Sequence, residues 1–414
     1  MIVFRSVLGF LLLVAIAWCI SENRRRLPVR TVLAGLAIQI ALAVALLKFP
    51  LFARLFVYLN RAVLALQEAT QEGTAFVFGY LGGGEAPFAV TDPQATFILA
   101  FQSLPLVLVI SALSAVLFYW RILPRIVKGF SWLMEKSMRL GGAEGLGISA
   151  NIFVGMVEAP LLIRPYVSRM SRSELFTLMS SGMATIAGTV MVVYASILTD
   201  VIPNVMGHIL TASLLSAPAA IVISKVMIPE TGRLTNAELT GGEEASGAMD
   251  ALTRGTLRGM ELMLNIIAMI IVLVAVVHLV NLGLGLFPGL GGEPLTLQRI
   301  LGWLLSPLVW VMGVPWSEAQ QAGSLLGTKT VLNEFIAYVE MSRLEAGVLS
   351  PKTLLIMSYA LCGFANPGSL GIMIGGLGGI APDRRDEIVS LGFRSIVAGT
   401  LATCMTGTVV GILA

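Results

Sequence analysis

Five long apolar runs interrupt the polar pattern of the chain, at Val3 to Ile20, Val32 to Leu47, Ala95 to Phe118, Val205 to Ile228 and Leu262 to Val280. Each is long enough to cross roughly 30 Å of hydrocarbon as a helix, so the pattern predicts an all-α polytopic membrane protein. The first run has only Arg5 among its leading basic residues and no small-residue cleavage site behind it; Glu22, Arg24, Arg25 and Arg26 follow instead. It reads as a retained span and not as a cleaved signal peptide.

Residues 51 to 80 follow a different pattern. Phe52, Leu55, Phe56, Leu59, Val63 and Leu66 recur at helical spacing, with Arg54, Arg61 and Glu68 elsewhere around the helix. Two placements fit, a helix lying along the membrane interface and an external amphipathic helix packed on the bundle. Between Glu230 and Arg258 the chain turns polar, with ETGRLTNAELTGGEEASG, and a cytoplasmic loop dividing the chain into halves is expected there.

The halves share an order of features. Each has a glycine-bearing apolar stretch ending in a carboxylate (Gly155 then Glu158; Gly327 then Glu334), a polar break, and an apolar helix interrupted by small or polar residues. Thr185, Ala187 and Gly188 interrupt the first helix; Gly363, Asn366, Pro367, Gly368 and Ser369 interrupt the second. Such breaks free backbone groups that protein, water or ligand must satisfy. Their recurrence in two halves points to an inverted-repeat transporter with its site at the midplane.

Composition supports the membrane assignment: 56% of the 414 residues are apolar, 12% are charged, and mean hydropathy is +0.87. The net charge of +3 matters less than its distribution. Basic residues cluster at Arg24 to Arg30, Arg121 to Lys128, Lys225 to Arg258, and Arg384 with Arg385, whereas Arg54 to Asp92 carries a slight acidic excess. The basic segments belong on the cytoplasmic side, which starts the N-terminus outside. Dispersed in short loops, these residues offer no nucleic-acid surface. Cys19, Cys362 and Cys404 all lie in apolar runs, which supports neither a disulfide framework nor a metal site.

Glu158 and Glu334 are the candidate functional groups, since an ionisable side chain costs several kcal/mol to hold in hydrocarbon and marks a functional site by default. Helix ends and free carbonyls at a re-entrant tip can coordinate a desolvated cation, while Glu334 and Asn366 can hydrogen-bond the vicinal hydroxyls of a sugar-like solute. Structural roles stand beside these: Glu334 paired with Lys329, Glu158 paired with Arg164, and Asn366 joining two helices. An enzyme would need a paired histidine, cysteine cluster or serine elbow beside the carboxylates, and none is present. A transporter and a sensing or gating membrane protein remain.

The stretches SANIFVGMVEAPLLIRPYVSRMSRSELFTLMSSGMATIAGTV, GTKTVLNEFIAY and ALCGFANPGSLGIMIGGLGGIAPDRR closely resemble the concentrative nucleoside transporter family, over most of residues 148 to 195 and 322 to 414. The resemblance implies cation-coupled nucleoside uptake by a homotrimer in the cytoplasmic (inner) membrane, both termini outside. Each protomer would have eight transmembrane helices, one interfacial helix, and two re-entrant hairpins near residues 129 to 166 and 315 to 345. It divides the chain into N-terminal spans, interfacial helix and scaffold (1–120), first hairpin and transport-repeat half (121–228), cytoplasmic loop (229–258), and scaffold helix, second hairpin and second transport-repeat half (259–414). By motif position Glu334, Asn366 and Ser369 would bind ribose with Phe364 lining the pocket; Met156, Val157, Glu158 and Val190 would face the nucleobase. Asn151, Val154, Thr185 and Ile186 would hold sodium.

The family usually has Gly-Gln-Ser/Thr-Glu where this chain has Gly155, Met156, Val157 and Glu158. Met156 and Val157 offer a base edge only apolar contact, which implies a shifted or broadened preference that includes purine nucleosides. Pro367 and Gly368 depart from the pattern beside Ser369. Lys329 and Tyr338 match it, either as site residues or as braces. The oxygen donors Asn151 and Thr185 favour sodium as the coupling ion. A proton carried on a carboxylate is the alternative, with His208 and His278 as relay candidates.

Overall fold

The computed structural model describes residues 2–90, 97–156, 158–235, 245–289 and 294–413. Every regular element among them is helical. The chain opens with α1 (Ile2–Cys19), α2 (Val29–Lys48) and α3 (Pro50–Phe78), then α4 (Leu99–Gln102), α5 (Leu106–Tyr119) and α6 (Ile122–Met138). Next come α7 (Gly142–Val154), α8 (Glu158–Leu162), α9 (Arg164–Val167), α10 (Arg172–Ala184) and α11 (Gly188–Leu198). After α12 (Val205–Met227) and α13 (Ala248–Leu284) come α14 (Leu297–Val311), α15 (Trp316–Val331), α16 (Glu334–Ser342), α17 (Pro351–Ala360), α18 (Pro367–Ile380) and α19 (Arg385–Leu413).

Six helical segments among the described residues are apolar and long enough to cross a membrane, and a seventh arises if α14 and α15, bent by 117°, count as one. The protein is a multi-pass membrane protein. Its core is not its most apolar part: 89% of the apolar window of α12 is buried, against 11% for α13, which has the highest hydropathy. Lipid, unlike water, does not drive apolar faces inward. Helices in a bilayer meet instead through small and hydroxyl residues, and α12 carries Thr211, Ser213, Ser216 and Ser224 fully buried.

The polar segment from Glu230 to Arg258 is only partly a loop. α13 begins at Ala248, ten residues ahead of Arg258. Two contacts make this polar stretch helical. Asp250 accepts from the Ser246 amide and pairs with Arg254 one turn on, an arrangement suited to a helix start. Gly255 lies so close to α5 that an added Cβ would stand 2.7 Å from the Ser111 carbonyl oxygen. The amphipathic stretch at 51 to 80 forms one helix, α3, burying Phe56 and Val63 while Leu51, Leu55, Tyr58 and Leu64 are exposed.

Both predicted hairpin regions contain a helix break followed by a helix that starts at a carboxylate. In the second, α15 and α16 span the expected 315 to 345. In the first, α7 turns at Gly155 into α8, and the expected start at residue 129 falls inside α6.

Candidate functional site

Glu334 is positioned by its neighbours in sequence. Asn333 caps α16, its Oδ1 accepting from the Ile336 amide at 2.8 Å, which sets Glu334 in the first turn with 4% of its surface exposed. One carboxylate oxygen accepts from the Tyr194 hydroxyl at 2.6 Å, and the other from Asn366 Nδ2 at 2.9 Å. The Asn366 amide is itself oriented, because its Oδ1 caps α18 by accepting from the Ser369 amide at 2.8 Å. Pro367 then occupies the first helical position, where its ring is pre-set for the turn and its missing N–H costs nothing. The Pro367–Gly368 departure is therefore the start of α18, and it spends the Ser369 amide on the cap. Each Glu334 oxygen has two acceptor positions, so the bonds to Tyr194 and Asn366 leave capacity for further donors.

Lys329 does not pair with Glu334. Its Nζ, fully buried, donates to the Ala360 carbonyl at 2.9 Å and to Thr403 Oγ1 at 2.7 Å. Tyr338 donates to the Ser358 carbonyl at 2.7 Å. Lys329 ties the α15–α16 turn to α17 and α19, and Tyr338 ties it to α17.

The first half is arranged differently. Gly155 ends α7 at φ +100, in the left-handed region that favours glycine, and Met156 is buried beside it. Glu158, which heads α8, is exposed instead of buried; Val157 lies outside the described residues. Across from this turn α10 stops at Ala184, Thr185 to Ala187 form the break, and α11 starts at Gly188. Asn151, Thr185 and Ile186 are buried, and Val154, the last residue of α7, is half-buried. Thr185 Oγ1 donates to the Ser181 carbonyl at 2.9 Å.

Several oxygens here lack partners. Asn151 Oδ1 and the hydroxyls of Ser149, Ser180 and Ser181 are buried without a hydrogen bond. Asn151 lies against α10, since a Cβ on Gly182 would stand 3.4 Å from its Nδ2. An unsatisfied buried polar group costs about 1–3 kcal/mol, so these oxygens favour a ligand that takes their lone pairs. A hard cation does so. Among the described residues no group of three or more His, Cys, Asp or Glu could hold a metal ion.

The halves face each other across a cavity of about 150 Å³. Met156, Glu158 and Val190 line it from the first half, and Glu334, Phe364, Asn366 and Ser369 from the second. α13 closes the wall with Asn265 and Met269. A larger cavity of about 620 Å³ shares Glu158, Thr189 and Leu262 with it and runs past Arg164 and Arg258. Sequence reasoning singled out neither Tyr194, Thr189, Asn265 nor Asn333. Asn265 carried a usable signal, as a polar side chain inside the apolar run of α13. His208 bonds Tyr359 at 2.9 Å through Nδ1, His278 is exposed on α13, and neither lines the cavity.

Comparisons with known proteins agree on a family. Profiles described as "Na+ dependent nucleoside transporter C-terminus" and "N-terminus" match residues 208–411 and 8–81, and one described as "Nucleoside recognition" matches 100–201. The chain is 38% identical to the uncharacterized transporter YutK of Bacillus subtilis, over 98% of each chain. It is 36% identical to the nucleoside permease NupC of Helicobacter pylori, over 98% of this chain and 97% of that one. The structure of CNTnw in an inward-facing substrate-bound state superposes with a TM-score of 0.89 at 36% identity, covering 100% of this chain and 98% of that chain.

Proposed function

The chain belongs to the Na+ dependent nucleoside transporter family, a family of transporters and not of enzymes, and from that premise we propose that it carries nucleosides into the cell by symport with sodium. The observation that carries this reading is Glu334, buried at the cavity wall, oriented by Tyr194 and Asn366, and retaining acceptor capacity on both oxygens. Two ribose hydroxyls donate to it. Ser369 and Phe364 complete the sugar end, and Met156, Val157, Glu158 and Val190 receive the base. The cation binds between α7 and the α10–α11 break, where Asn151 and Thr185 supply side-chain oxygens and Val154 and Ile186 supply carbonyls.

In this reading the protein has eight transmembrane helices, an interfacial α3 and two re-entrant hairpins. It works as a homotrimer in the cytoplasmic membrane with both termini outside, and its site lies at the midplane. The 620 Å³ cavity past Arg164 and Arg258 is then the cytoplasmic exit. The base end accepts purine as well as pyrimidine nucleosides, because Met156 contributes shape without hydrogen bonds. Two other readings share the site: proton coupling through a carboxylate, and a sensor that binds nucleosides without moving them.

Uptake of labelled adenosine and uridine into proteoliposomes separates them. Accumulation under an inward sodium gradient alone is expected. Accumulation under a proton gradient alone would shift coupling to a carboxylate, and binding without accumulation would make the protein a sensor.

A further inference from the structure

The two broken helices expose their negative ends to different partners. α10 and α17 each finish at an alanine, Ala184 and Ala360, just before the break. Terminal carbonyls of a helix have no partner within it and carry the negative end of its dipole. A cation suits both. At α10 the nearby oxygens include the unpartnered Asn151 Oδ1. At α17 the Ala360 carbonyl already receives a cation, the Lys329 ammonium, which also bonds Thr403 Oγ1.

These two ends belong to one node. A Cβ on Gly363 would stand 2.9 Å from the carbonyl oxygens of both Met183 and Ala184 and 2.7 Å from Thr403 Cγ2. The two arms supplying the partners are also equivalent: Asn151 lies in the last turn of α7, Lys329 in the last turn of α15, and each precedes its carboxylate-led helix. Lys329 has no carboxylate in salt-bridge range among the described residues, and both groups that accept its hydrogen bonds are neutral. A buried ammonium without a counter-ion is costly and is offset here by a helix end and a hydroxyl.

We propose that Lys329 is a tethered cation, filling at the end of α17 a latent monovalent-cation site built from the Ala360 carbonyl and Thr403 Oγ1, the counterpart of the exchangeable site at the end of α10. This rests on the cation assignment above. It means that one half binds and releases its cation during the cycle while the other keeps its own. The consequence is a single exchangeable sodium per protomer, with the second half electrostatically complete at all times.

The test uses the purified full-length protein, following thermal unfolding and bound radioactive sodium as sodium replaces choline at constant ionic strength. Lys329→Ser removes the ammonium and leaves an added oxygen. It is expected to be destabilised in choline and restored by sodium, with bound sodium rising from about one to about two per protomer. Lys329→Arg keeps the charge and is expected to bind sodium as the wild type does. Lys329→Met fills the space without charge and is expected to remain destabilised at every sodium concentration. A Ser variant that gains no sodium, or that fails to recover at any concentration, overturns the proposal, as does equal recovery of the Met variant. Should the wild type bind no sodium, the assignment at Asn151 fails; a sodium-restored Lys329→Ser protein would still support the latent site.

Discussion

The two halves repeat the same order of elements but differ in how completely their polar groups are satisfied. Around the α15–α16 turn Glu334 is tied to Tyr194 and Asn366, Asn366 to the Ser369 amide, and Lys329 to Ala360 and Thr403. Around the α7–α8 turn and the α10 segment facing it, Asn151 Oδ1 and the hydroxyls of Ser149, Ser180 and Ser181 are buried without a hydrogen bond. A pre-oriented carboxylate recognises a fixed hydroxyl pattern at little ordering cost. Unpaired oxygens gain most from an arriving cation. In the proposed reading this difference divides the labour of the site: sugar recognition in the second half, cation and base recognition in the first.

The largest effect that would break this comparison lies at Glu334. Glu334→Gln keeps the shape but turns one acceptor oxygen into a donor nitrogen, which opposes either the Tyr194 hydroxyl or the Asn366 amide together with the ribose hydroxyl directed at that position. Nucleoside affinity should fall roughly 100-fold, about 2–3 kcal/mol, in an equilibrium binding assay. Unaltered affinity would place the sugar elsewhere.

Asn151→Ala acts on the other half. The half-saturating sodium concentration for uptake should rise roughly tenfold, with maximal uptake at saturating sodium largely retained. Uptake kinetics against sodium concentration give the answer, and an unmoved sodium curve would remove Asn151 from the cation site.

A smaller change is expected at the base end. Met156→Gln supplies an amide facing the base, and the ratio of uridine to adenosine uptake should shift about fivefold toward the nucleoside whose edge the amide can pair. Competition among uridine, cytidine, adenosine and inosine measures it. No shift in any ratio would mean that the base does not touch Met156.

The smallest effect concerns the surface seam where the α1–α2 connection meets α10 and α19. Glu22 bonds Arg172 of α10 and Arg394 of α19 at the surface. The hydrogen bond from Arg172 and the two positive charges hold its carboxyl below the usual carboxylate range. Its stabilisation is therefore present above that range and is lost as pH falls through the lowered value. Solvent screening keeps it within about 1 kcal/mol. Melting temperatures of wild type and Glu22→Gln should differ slightly near neutral pH and converge in acid, with nucleoside binding unaffected.

Four of the six membrane-length segments were legible in the sequence because lipid imposes long apolar runs, while Arg172–Leu198 and Pro382–Leu413, richer in small and polar residues, were not among those runs; the two breaks were legible because glycine, proline and asparagine stand out inside them. The start of α13 was not, since its first turns are polar and become helical through Asp250, Arg254 and the fit of Gly255 on α5. Glu334 was legible as a carboxylate in an apolar stretch and Asn366 from its coincidence with Pro367, Gly368 and Ser369, whereas Ser369 was expected beside them only from the family resemblance. Tyr194 was not, because its role depends on bringing α11 against α16, a contact between residues 140 positions apart. The choice of partner for Lys329 was equally hidden: sequence proximity suggested Glu334, whereas the fold delivers the ammonium to the end of α17.

The division of labour is tested most directly by nucleoside binding to purified protein as a function of sodium, compared across wild type, Glu334→Gln and Asn151→Ala. The account expects Glu334→Gln to lose binding at every sodium concentration, and Asn151→Ala to bind nearly as wild type once sodium is high. Binding that falls alike in both variants at all sodium concentrations, or that ignores sodium in the wild type, would contradict it.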